Sequence, residues 1–178
     1  MNRVVLGLTL LMAACGSDQS PTSPAPEIAQ VAGTWNYTAR WSRVTGGSCV
    51  GDFLMTGVER IDTGSVEVTQ VGTSLDATVR GTSPVLQRVP EMACQYLGSV
   101  NNASVALTAP ACPAFTIPFR CMNGVITEVT LTGGTLNATV KGDVMEGTQA
   151  ETYNANTAPT TIGGGPFTVT RSFSATRR

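Results

Sequence analysis

The 178-residue chain contains no histidine and a single lysine, Lys141. The first absence removes Ser-His-Asp and Cys-His catalysis and the commonest metal-binding side chain. The second matters because the arginines are scattered and form no stripe that could follow a phosphate backbone, which argues against nucleic acid as a partner. No phosphate loop, dinucleotide fingerprint or calcium loop occurs. The apolar run from Val4 to Leu11 is too short to cross a bilayer as a helix. Aromatic residues are scarce, at 6%, so the alternation of Trp35, Tyr37 and Trp41 within "TWNYTARW" stands out. The length allows one hydrophobic core and is short for two domains.

What is present begins with an export signal. "MNRVVLGLTLLMAACGSD" has one basic residue, an apolar stretch and small residues before Cys15, the layout of a secretory leader. Its end, "LMAAC", resembles the bacterial lipobox. That resemblance implies cleavage after residue 14 and a lipidated Cys15 as the membrane anchor. Gly16 stands where an aspartate would favour inner-membrane retention, which points to the outer membrane, facing the periplasm or the cell surface. Several acyl chains on one residue give stable attachment. Residues 15–26, polar and proline-rich, read as a disordered tether, and residues 27–178 as the folded domain. Loss of Arg3 with the leader leaves ten basic against twelve acidic residues, a net charge near minus two.

Beyond Cys15 there are four cysteines, Cys49, Cys94, Cys112 and Cys121. An even number in an exported chain reads as two disulfides. Three pairings are possible, and Cys49 with Cys94 and Cys112 with Cys121 is favoured, because the second bridge would staple the loop "ACPAFTIPFRC". With no CxxC knuckle, the four do not read as a zinc site.

From Glu27 onward nearly every segment has the period of a strand. "EIAQVA" can form one helical turn before the first. In "TLNATVKG", Leu136, Ala138 and Val140 face one way and Asn137, Thr139 and Lys141 the other. Similar alternation runs through "SVEVTQV", "SLDATVRG", "CQYLGSV", "ASVALTA", "ITEVTL" and "FTVTRSFSA". "VGTS", "VNNA", "TGGT", "KGD" and "NTAPTTIGGGP" read as turns or loops. Residues 65–81 and 126–142 align without gaps and share nine identities, the pattern expected of either two copies of one hairpin or convergence on threonine-valine strands.

Eight or nine short strands with one polar face predict an all-β fold: a single antiparallel, up-and-down, water-soluble barrel, with a Greek-key sandwich as the competitor. A barrel also removes exposed edges. "GTW", Gly33–Trp35, at the start of the first strand resembles the GxW motif of the lipocalins and the related fatty-acid-binding proteins. The resemblance implies a calycin-like barrel whose tryptophan closes the floor, with an arginine of the last strand packed across the indole. In "PFTVTRSFSAT" that arginine is Arg171, on the same face as Phe167, Val169 and Phe173. Gly33, Trp35 and Arg171 are thus the expected latch between first and last strands, and stacking would explain a charge in an apolar row.

Two strings imitate catalytic sites. "GGSCVG" around Cys49 has no base to activate a thiol, so a disulfide explains it. "IDTGS", residues 61–65, matches one half of an aspartic-protease site, but no second DTG or DSG supplies the opposing carboxylate within the chain; a homodimer could, and a plain turn at Asp62–Gly64 needs none. Asp143, Glu146 and Glu151 read as solvated charges. No enzyme activity, metal or cofactor is expected. Small predicted inward residues (Ala39, Val66, Ala77, Val79, Gly98, Ala138) with bulk at Trp35, Tyr37, Trp41, Tyr96, Phe167 and Phe173 suggest a pocket wall for a small hydrophobic ligand, in a monomer. The alternative is a structural or protein-interaction module of the envelope that acts through the loop at 110–123, with Phe115, Ile117 and Phe119 exposed.

Overall fold

The computed structural model describes residues 27–46, 60–83, 90–110, 112–113, 120–121, 124–158 and 165–178. The leader, Cys15, the tether, Cys49, Phe115, Ile117 and Phe119 lie outside them. Among the described residues nine strands are formed: β1 Gly33–Gly46, β2 Ile61–Val71, β3 Ser74–Thr82, β4 Cys94–Asn101, β5 Ser104–Ala109, β6 Arg120–Cys121, β7 Gly124–Lys141, β8 Val144–Ala158 and β9 Gly165–Arg177. All pairings are antiparallel, in the circuit β1-β2-β3-β4-β5-β7-β8-β9 and back to β1, with β6 a two-residue spur on β7. This is the closed eight-stranded up-and-down barrel that the alternation predicts. The Greek-key alternative does not occur.

The period-2 pattern positions the core directly. Along β9, Phe167, Val169, Arg171, Phe173 and Ala175 are buried while their neighbours face outward. A bulge in β1 between Trp41 and Arg43 shifts the alternation by one, so that Val44 rather than Arg43 packs on the core. Where the sheet coils tightly, glycine is required: a Cβ on Gly98 would lie 1.9 Å from the Ala106 carbonyl oxygen of the paired strand.

The two ends of the barrel differ. At one end, two-residue turns join β2 to β3, β4 to β5 and β7 to β8, with positive φ at Gly72, Asn102 and Gly142. The longer connections β1–β2, β3–β4, β5–β7 and β8–β9 all leave from the other end. The rim there is uneven, because β1, β7, β8 and β9 span 13 to 18 residues and β2 to β5 only 6 to 11.

Three expectations are corrected. No helical turn forms over 27–32. This segment instead straps the short-turn end: Ala29 N donates to Asn102 O (2.8 Å), Val31 N to Gln70 Oε1 (2.7 Å), and Gln70 Nε2 to Ala29 O (3.2 Å). Second, 126–142 is not a second hairpin. β7 runs straight through "TGGT", with a bulge between Leu131 and Gly133, because Gly134 to Thr139 are needed as the partner of β5. Third, among the described residues a disulfide joins Cys94 to Cys112, which overturns the favoured Cys49–Cys94 and Cys112–Cys121 pairings. The hairpin register explains it: Leu97 pairs with Thr108, so the chain leaving β5 returns to the level of Cys94 as it reaches Cys112.

Candidate functional site

At the closed end, Trp35 is the floor. It is fully buried, and its indole Nε1 donates to the Val31 carbonyl at 2.9 Å. The arginine across its ring is Arg177, with the guanidinium carbon 4.5 Å from the ring centroid. Arg177 also donates to the carbonyls of Ala32 (2.6 Å) and Gln30 and pairs with the exposed Asp143 (3.2 Å). Gly33, at φ +127°, passes beneath it; a Cβ there would stand 3.6 Å from Arg177 Nη1. The latch between first and last strands therefore exists, with Arg177 in the place expected for Arg171. Register is the reason. Trp35 pairs with Arg177, whereas Arg171 pairs with Trp41, six residues or about 20 Å along the strand.

Arg171 instead stands in the middle of the barrel, wholly buried, and organises a polar cluster drawn from five strands. Its Nη1 donates to Glu151 Oε2 at 2.6 Å, its Nη2 reaches Tyr153 Oη at 3.4 Å, and its Nε lies 2.9 Å from Asp62 Oδ2. The last contact is an ion pair off the hydrogen-bonding direction. Its guanidinium carbon is 4.9 Å from the centroid of the half-buried Trp41 ring, whose Nε1 donates to Asp62 Oδ2 at 3.0 Å. Glu151 Oε1 accepts from Tyr96 Oη (2.6 Å) and Gln149 Nε2 (3.0 Å), and Oε2 also accepts from Tyr153 Oη. Gln149 Nε2 bonds Tyr96 Oη as well, at 3.0 Å. Gly134 leaves room for this: a Cβ there would come within 3.1 Å of Tyr96 Oη and 3.4 Å of Glu151 Cγ.

The electrostatics follow from burial. Burial, together with the adjacent Glu151 charge, holds the Tyr96 hydroxyl neutral well above its ordinary value. Burial alone would lower the Arg171 value, but the facing Glu151, Tyr153 and Asp62 raise it well above the ordinary range. Arg171 is thus a permanent cation between two buried carboxylates. Asp62 Oδ1 is buried without a hydrogen-bond partner.

The six residues expected as a pocket wall divide. Tyr37, Tyr96, Phe167 and Phe173 are buried inside the barrel with the Trp35 floor, and Trp41 is half-buried. They do not form a continuous apolar lining, because Tyr37 stacks on Phe173 (5.7 Å), Tyr153 stacks on Phe167 (5.2 Å) and Tyr96 belongs to the polar cluster. Asp62 is not a turn residue but part of β2, and Glu151 is not solvated; Asp143 and Glu146 are exposed, as expected. Glu151 was detectable in "QAETYNA", where Gln149, Glu151, Tyr153 and Ala155 share one face of an alternating strand. A shallow open depression of about 380 Å³ lies away from the cluster, at the strap, lined by residues including Glu27, Ile28, Asp143 and Arg177. Among the described residues no cluster of metal-binding side chains occurs. No protein-family model, curated protein or solved structure matches the chain.

Proposed function

We propose that this is a non-enzymatic, calycin-like carrier of a small hydrophobic molecule, exported and lipid-anchored at Cys15 in the bacterial outer membrane. The observation that carries the reading is the asymmetry of the barrel. One end is sealed by Trp35, Val31 and the 27–32 strap, while every long connection leaves from the other. An eight-stranded barrel has an interior that side chains just fill or that holds one small ligand, and one sealed end opposite the long connections supports the second arrangement. The polar cluster would meet the ligand's head, and the aromatic rows its apolar body. The GTW stretch with an arginine across its indole supports the lipocalin-like comparison at the floor.

Native mass spectrometry of protein isolated from membranes, followed by denaturing extraction, tests this. A stoichiometric small molecule with an apolar body is the expected result. A bare protein mass that a lipid extract leaves unchanged would sink the carrier reading. That outcome would favour an interaction module acting through the 110–123 connection, a reading supported by the mutual packing of Tyr37 with Phe173 and Tyr153 with Phe167. Anchoring has its own test: Cys15→Ala should move the protein from the membrane to the soluble fraction, and unchanged membrane association would remove the anchor from the proposal.

A further inference from the structure

Resting on the carrier reading, we infer that the ligand is an organic amine whose ammonium group donates to Asp62 Oδ1, with an apolar body in the upper barrel. The fully buried ionisable groups of the cluster are two carboxylates, Asp62 and Glu151, against one guanidinium, Arg171. Glu151 is saturated: its two oxygens take donors from Tyr96, Gln149, Tyr153 and Arg171. Asp62 is not, because Oδ2 receives both Trp41 Nε1 and Arg171 Nε while Oδ1 has no partner. A buried carboxylate oxygen without a donor is the costly exception in folded proteins, and a bound donor would relieve that cost.

Three features select the class of that occupant. It must donate, since Oδ1 is an acceptor only. It is favoured by positive charge, since among the described residues the fully buried members of the cluster are two carboxylates against one guanidinium in a low-dielectric interior. A carboxylate head is disfavoured, since Arg171 already faces two carboxylates and a third would have to displace one. Arg60 is the rival cation. It is half-buried, lies 5.9 Å from the Trp41 centroid and makes interactions of its own, but it does not hydrogen-bond Asp62 Oδ1. Asp62 itself is buried, at the second residue of β2 on the short side of the rim.

The test holds the apolar body constant and changes the head. Octylammonium, octanol and octanoate, each below its aggregation limit, are titrated calorimetrically into the purified protein at neutral pH. Octylammonium should bind one to one and at least about tenfold more tightly than octanol, with octanoate the weakest. In Asp62→Asn, the preference for octylammonium over octanol should disappear. If that variant does not fold, the order of the three heads on the unaltered protein decides alone. Octanoate binding as tightly as octylammonium, or equal affinity for all three heads, overturns the inference and leaves the carrier reading standing. Selectivity for octylammonium that survives in folded Asp62→Asn overturns the assignment to Asp62. Absence of one-to-one binding by any of the three overturns both readings.

Discussion

Arg171 is the residue on which the interior depends, since it is the only fully buried cation among the described residues and it faces both buried carboxylates. Removing one partner of such an arrangement leaves bare buried charge, so Arg171→Met should cost about 3–5 kcal/mol in urea unfolding. In an Asp62→Asn, Glu151→Gln background the same substitution should cost far less, because no charge is stranded. Tyr96 makes a second prediction, in pH. Its folded-state value is raised, first by burial and then by Glu151, so the unfolded chain releases the phenolic proton at a pH where the fold retains it. Its contribution is complete below the ordinary tyrosine value and is lost as pH climbs from about 10 upward. Thermal melts across that range should show a falling midpoint that flattens in Tyr96→Phe. The cluster was half legible in the sequence. Arg171 in an apolar row announced a buried charge, but Asp62 was hidden by its neighbours, since Asp-Thr-Gly-Ser is also turn chemistry.

At the scale of elements, the strands were legible and their registers were not. Alternation names the inward row of each strand without saying how far it slides past its neighbour. Hence the arginine across Trp35 stands six residues beyond the one that alternation suggests. The Cys94–Cys112 bridge was within reach, because a tight turn at "VNNA" fixes the β4–β5 register. "TGGT" has the composition of a turn, but its local propensity loses to tertiary pairing with β5. Two glycines test the element picture directly. Gly98→Ala forces a Cβ into the Ala106 carbonyl and should destabilise by about 1–3 kcal/mol or more, whereas Gly133→Ala, with nothing within 4 Å, should stay within about 0.5 kcal/mol. Equal denaturation midpoints for the two would contradict the tight coiling at Gly98. Arg177→Ala removes the indole stack and the bonds to Gln30 and Ala32, and should cost about 1–3 kcal/mol. Hydrogen exchange should show faster exchange at the Ala29 and Val31 amides, which the strap holds; unchanged protection there would mean that Arg177 does not tie the strap.

For the whole molecule, the seam between β1 and β9 has a consequence in time. It pairs Trp35 with Arg177 and Thr38 with Ser174, and the last residue still donates its amide to Thr34 O at 2.9 Å. Every other wall of the barrel joins strands that follow one another closely in the chain; this one joins the first strand to the last. A growing chain can assemble hairpins early, but it cannot close the circle or seat Arg177 on Trp35 until residue 177 has been delivered. Contacts of such long sequence separation are slow to form. Until then, β1 and β9 each present an unpaired edge capable of joining the wrong strand. The window between synthesis and closure is therefore where this protein is most exposed to aggregation and proteolysis.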